Sequence, residues 1–268
     1  MDAEPRFPFE LEKEVFETAA LAYPETIPTL LLVARRVSVW VEPFLYRTSP
    51  TFIANAVRCL VLDYSCPINN GTLSLLARCT RVTAVGMNAK DTADTLLPAL
   101  AALPLQRFAG FLSHLLPTDL HAGGGLTLNA DDTLAHTFWQ QLTHLDVFET
   151  LDTARGRAAR ALLPRLPRLT HLAVGHAGVL PVIRHLLVDT LQSCAHLQVL
   201  VVLGHPNVAG SGKQPLPRLL RDPRVVILVR ADLTWDDSVL PTPNLWTTAE
   251  QFLQRKRRNE VGPDEYWA

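Results

Sequence analysis

One short apolar pattern recurs along the chain and limits what it can become. Leu142-Thr-His-Leu145-Asp-Val147, Leu169-Thr-His-Leu172-Ala-Val174 and Leu197-Gln-Val-Leu200-Val-Val202 share the form L-x-x-L-x-V. Val57-Arg-Cys-Leu60-Val-Leu62 and Val82-Thr-Ala-Val85-Gly-Met87 fit with substitutions. Leu105-Gln-Arg-Phe108 and Val225-Val-Ile-Leu228 keep the first two anchors. First anchors at 57, 82, 105, 142, 169, 197 and 225 give spacings of 25, 23, 37, 27, 28 and 28. Strand side chains alternate between two faces, so the fourth and sixth positions point the same way. One such unit cannot bury that face alone, whereas stacked neighbours can.

A recurrence of 20 to 29 residues with this core resembles the leucine-rich repeat, one strand and one returning helix per unit. The expectation is an α/β fold, a short irregular solenoid over residues 51–268. Returning helices are expected at Thr72–Cys79, along DTADTLLPALAAL with Leu96, Leu97, Leu100 and Leu103 inward, at Asp152–Leu163, and along PVIRHLLVDTLQSC. The long interval holds His121-Ala-Gly-Gly-Gly125 and a possible small strand in LTLNADD, and insertions of this kind emerge as loops on one face. The end, NLWTTAEQFLQRKRRNEVG, reads as a helix with Asn244 as cap and Trp246, Ala249, Phe252 and Leu253 inward over the last repeat.

Residues 1–50 read differently. In LEKEVFETAALA, Leu11, Val15, Ala19 and Ala22 recur at helical spacing among charged residues, an amphipathic pattern. Pro8 precedes that helix, and Tyr23-Pro24 stops it. A second helix is expected over TIPTLLLVARRV with Thr26 as cap, and a third around Val39–Tyr46; residues 48–56 read as a connection.

The order F-P-x-E-x-x-x-x-V-F, L-x-x-V-A-R-R, W-x-E-P-F-L-Y resembles a divergent F-box. It is similar to the F-box-like proteins with degenerate leucine-rich repeats found in mushroom-forming fungi. Pro8, Glu10, Val33, Arg35, Arg36, Trp40, Pro43, Leu45 and Tyr46 match, while Phe7 stands where that family has leucine. The resemblance implies a three-helix motif that docks a Skp-type adaptor of a cullin–RING (SCF-type) ubiquitin ligase, with the repeats recruiting a target protein. Pro8, Leu11, Val15, Val33 and Trp40 are the expected adaptor-binding residues. The alternative is a freestanding repeat scaffold whose F-box-like segment is a structural cap, since a repeat array needs its apolar end covered.

Chemical motifs point away from catalysis. Gly210-Ser-Gly212-Lys213 fails as a phosphate loop, because Asn207 replaces the first glycine and Gln214 the hydroxyl residue. His144 and His171 hold the same place in successive repeats and should lie about 5 Å apart, but Val199 follows them and no third ligand matches. No enzyme activity, cofactor or metal is expected. Net charge is -1, so no global field recruits nucleic acid or a membrane. Arg255-Lys256-Arg257-Arg258 reads as a helix C-terminus, where cations meet exposed carbonyls favourably. Cys59, Cys66, Cys79 and Cys194 suit reduced thiols rather than a disulfide framework. The acidic start MDAEPRFPFELEKE lacks the apolar stretch of a secretory signal. The expected location is therefore cytoplasmic or nuclear, and the Asn70-Gly-Thr72 sequon should stay unmodified.

Overall fold

A computed structural model describes residues 7–48, 50–63, 66, 68–88, 93–115, 137–151, 153–175, 180–204, 222–229, 236–241, 243–262 and 265–266. The chain divides into two compact units: Met1–Val57 with Arg78–Arg81, and Arg58–Ala77 with Val82–Ala268.

The first unit is helical. Its helices are α1 (Phe9–Ala22), α2 (Ile27–Leu30), α3 (Arg35–Thr48) and α4 (Pro50–Ala56), with a 3-10 turn at Pro24–Thr26. Pro8 is the N-cap of α1, and Glu10 and Glu12 lie in its first turn, where the helix dipole favours acids. The core gathers Ala20, Ile27, Val37, Trp40, Val41 and Leu45, with Phe16, Leu30, Leu31, Ala34 and Phe44 packed against it. The ring of Phe9 stands edge-on to Trp40 at 4.9 Å.

Three expectations change here. The helix expected through Val37 stops at Leu30, and a new one begins at Arg35. A turn between them lets α2 and α3 pack together and brings Leu30 and Trp40 into one cluster. The connection at 48–56 is largely α4. On α1, Phe16 and Ala20 face the core, while Leu11, Val15 and Ala22 are exposed. An aromatic ring buries more area than a valine, and alanine lets α1 and α3 approach, so the Phe16–Ala20 stripe wins the interior.

The second unit is α/β. Its strands are β1 (Cys59–Leu62), β2 (Ala84–Met87), β3 (Arg107–Gly110), β4 (His144–Val147), β5 (His171–Gly175), β6 (Val199–Gly204) and β7 (Val225–Val229). They form one parallel sheet in sequence order. Between them run α5 (Asn70–Arg78), α6 (Ala93–Ala101), α7 (Thr137–Gln141), α8 (Ala154–Leu162) and α9 (Leu180–Ser193). The expected strands and returning helices form near the expected positions, but β7 corrects the reading of the last repeat: Val225, expected as a first anchor, pairs with Leu200 and takes the fourth-position row, while Leu228 lies on the opposite face with α10. The small strand in LTLNADD and the loops at 121–125 and 210–213 lie outside the described residues.

Register explains the repeat grammar. Leu145 pairs with Leu172, and Leu172 with Leu200, so the fourth-position anchors run in one row across the sheet. Leu145, Val147, Leu172, Val174, Leu200 and Val202 are all buried. Right-handed crossovers in a sheet whose order never reverses put the connecting helices on one face, and these anchors face them. The threonine before each histidine ties one repeat to the last. The Thr143 amide and hydroxyl both donate to the Gln106 carbonyl, and those of Thr170 to the Thr143 carbonyl.

The other face is also covered. Ala173, Val199, Val201, Leu203, Val226 and Leu228 form a core with Leu245, Trp246, Ala249, Phe252 and Leu253 of α10 (Leu245–Arg257). Val239, just before α10, packs with Ala84 and Ala109, and the Cys59 thiol donates to its carbonyl. Residues 236–241 and 243–253 therefore strap the second face from β1 to β7. Beyond α10, the Tyr266 carbonyl accepts from the Ile227 amide of β7. Asn244 caps α10 with a reciprocal bond to Thr247, as its position suggested. Arg255, Lys256 and Arg257 fill its last turn, and Asn259 takes the left-handed conformation that closes it.

Candidate functional site

The residues singled out for docking lie in the first unit, and the fold divides them. Leu11 is 51% exposed, Val15 62% and Val33 56%; Pro8 is exposed as well. Trp40 is 8% exposed and sits in the core between Phe9 and Phe16, so it supports the surface from beneath. Leu11 and Val15 stand one turn apart on α1, and Thr18 and Ala22 continue their line along the same exposed face.

The exposed apolar side chains of this unit outnumber those residues. Of the eleven large hydrophobic side chains that the described residues expose, nine lie between Phe7 and Val39; the other two are Val61 and Leu75. The additional members are Phe7, Phe9, Leu21, Tyr23, Leu32 and Val39. Leu32 and Val33 occupy the turn between α2 and α3, where the apolar run Leu30–Val33 exceeds what the core takes in. That excess was the available sequence signal. The polar framing is specific: the Arg36 guanidinium donates to both carboxylate oxygens of Glu12, at 2.8 and 3.2 Å, joining α3 to α1. This fork with Glu12 raises the Arg36 pKa further above its ordinary value.

The chemically richest cluster lies in the second unit. His144 and His171 are paired in register, and their rings stack at 4.1 Å, 10° from parallel. Trp246 of α10 stands edge-on to both, at 5.2 and 5.8 Å. Each Nδ1 lies 2.8 Å from the hydroxyl of the preceding threonine, Thr143 or Thr170. His171 Nε2 lies 3.0 Å from Glu250 Oε1 on α10. Burial, then the neighbouring His171 and Arg107, pushes the His144 pKa down to about 3. Burial also lowers that of His171, outweighing the opposite pull of Glu250. These are neutral imidazoles under a helix, His171 buried and His144 half-buried.

Among the described residues, no group of three or more His, Cys, Asp or Glu side chains is placed to hold a metal ion. The strand order of the described sheet has no reversal, hence none of the crevice that doubly wound sheets offer a cofactor at a switch point. An open groove at the starts of β4 to β6 is lined by Arg168, His196 and Gln198, but its Thr143 and Thr170 hydroxyls already serve strand carbonyls. All four cysteines are unpaired, and burial raises the thiol pKa of Cys59, Cys79 and Cys194. No helix among the described residues is long and apolar enough to cross a membrane.

No family model, curated protein or solved structure matches the chain. The functional reading therefore stands on the residues and their geometry.

Proposed function

We propose that this chain is a non-enzymatic protein-interaction module of the F-box-like, leucine-rich-repeat type. In this reading the first unit docks a Skp-type adaptor of a cullin–RING ubiquitin ligase, and the second unit, a short solenoid, recruits a target protein. The observation that carries it is the apolar surface of the first unit. Nine large hydrophobic side chains remain exposed there between Phe7 and Val39, although the unit already has a closed core. Large apolar side chains exposed in this number, where a core has already closed, are available to a partner. The repeat spacing and the sequence-ordered parallel sheet support the solenoid reading.

Leu11 and Val15 are exposed on α1, as side chains that dock a partner must be. That exposure also makes a clean experiment possible. Titration of the full chain with a Skp-type adaptor, followed by calorimetry, should give micromolar or tighter binding. Leu11→Asp and Val15→Asp should each weaken it at least tenfold, because a charge at the centre of an apolar contact loses its hydration without gaining a partner. Undiminished binding in both variants, or no binding by the folded wild type, overturns the adaptor role.

A further inference from the structure

Helix α10 covers the sheet face that open solenoids leave free, and the way it is held is uneven along its length. Over β6 and β7 the contact is apolar: Val199, Val201 and Val226 meet Ala249, Phe252 and Leu253. Over β4 and β5 the contact is polar and titratable: the stacked pair His144 and His171 lies under Trp246 and Glu250. The indole of Trp246 is fixed in turn by its Nε1 donating to the Ser238 carbonyl at 2.6 Å. We infer that α10 is an acid-released latch, in which the His144–His171 stack holds it on the sheet at neutral pH and loosens it when the imidazoles take up protons.

The geometry supplies the physics. Two imidazoles stacked at 4.1 Å cannot both carry charge without strong repulsion. Among the described residues, the charged or titratable groups on this side include Arg107 from β3, Asp146 two residues after His144 on the same face of β4, and Glu250 from α10, with Cys59 of β1 and Asp236 of the strap further along the same face; β6 contributes Val199 to this row. Arg107, in register with His144, opposes protonation of both rings, and Glu250 favours it at His171 alone. The hydroxyls of Thr143 and Thr170 give their protons to strand carbonyls and so accept from Nδ1–H, which is present in the neutral Nδ1–H tautomer and in the cation alike.

The sign follows from linkage. Each ring has a lower pKa with the latch closed than the ordinary value of about 6.5 that it regains in water. The closed state is therefore unaffected above about pH 6.5 and loses ground as pH falls below it. His144 alone should shift the open-to-closed ratio by about tenfold between pH 7.5 and 5.5. His171 adds less, because Glu250 partly offsets its shift. Opening bares apolar side chains on both partners, so acid would offer a surface that is hidden at neutral pH.

Hydrogen exchange of the full chain at pH 7.5 and 5.5, corrected for intrinsic rates, tests this. The amides of 245–257 should open about tenfold or more readily at pH 5.5, while those of β4 to β6 keep their protection. His144→Gln should remove most of that difference, and His171→Gln a smaller part. Because the readout is the pH dependence and not the stability, a variant that is weaker at every pH still answers the question. Equal opening of α10 at both pH values, α10 and the sheet opening together, or a full pH dependence surviving in His144→Gln overturns the latch.

Discussion

The two units treat apolar side chains in opposite ways. In the second unit both faces of the sheet are buried, one under the crossover helices and the other under α10, and few large hydrophobic side chains among the described residues are left over. In the first unit a small core around Trp40 closes, yet α1 presents Leu11 and Val15 outward, and the turn after α2 adds Leu32 and Val33. The difference separates residues that a fold consumes from residues that it displays. In the second unit apolar sequence specifies packing. In the first, part of it exceeds what packing requires, and that excess is the best indicator of a partner.

Substitutions can break this contrast, and the largest effect belongs to the second unit. Trp246→Ala removes a buried indole that touches both histidines and belongs to the α10 core. It should cost about 3–5 kcal/mol, as large-to-small core changes do, measured by urea unfolding of the full chain. Next comes Gly156→Ala in α8. A Cβ there would overlap the Thr150 carbonyl and the Leu151 backbone, so the helix would have to shift, at a cost of about 1–3 kcal/mol. Val15→Asp in the first unit should lie at the other extreme, within about 0.5 kcal/mol of wild type, because its side chain is exposed. A Val15→Asp protein that unfolded as readily as Trp246→Ala would erase the distinction between displayed and consumed residues.

Much of the second unit was legible in the sequence. The L-x-x-L-x-V anchors name the buried rows, and the shared position of His144 and His171 foretold their contact. The N-cap Asn244 and the inward stripe of Trp246, Ala249, Phe252 and Leu253 were also readable. Where that helix lies was not: the same stripe suits a cap on the last repeat or a strap across a sheet face. The signal was β6, Val199-Leu-Val-Val-Leu203, which is apolar at every position, as a strand buried on both faces must be. In α1 two stripes compete, Leu11–Val15 and Phe16–Ala20, and helical spacing cannot choose between them. Tertiary packing chooses, through the fit of Phe9 and Phe16 against Trp40. Of the residues assigned to docking, spacing alone could not separate Trp40, which is core, from Leu11, Val15 and Val33, which are surface.

The displayed surface of the first unit is tested most directly by a hydrogen-exchange footprint of the full chain, free and saturated with a Skp-type adaptor. Slower exchange across α1 and the turn into α3, with β4 to β6 unchanged, is the expected result. Protection confined to the second unit, or none at saturating adaptor, would mean that Leu11, Val15 and Val33 are exposed for some other reason and that the adaptor reading is wrong.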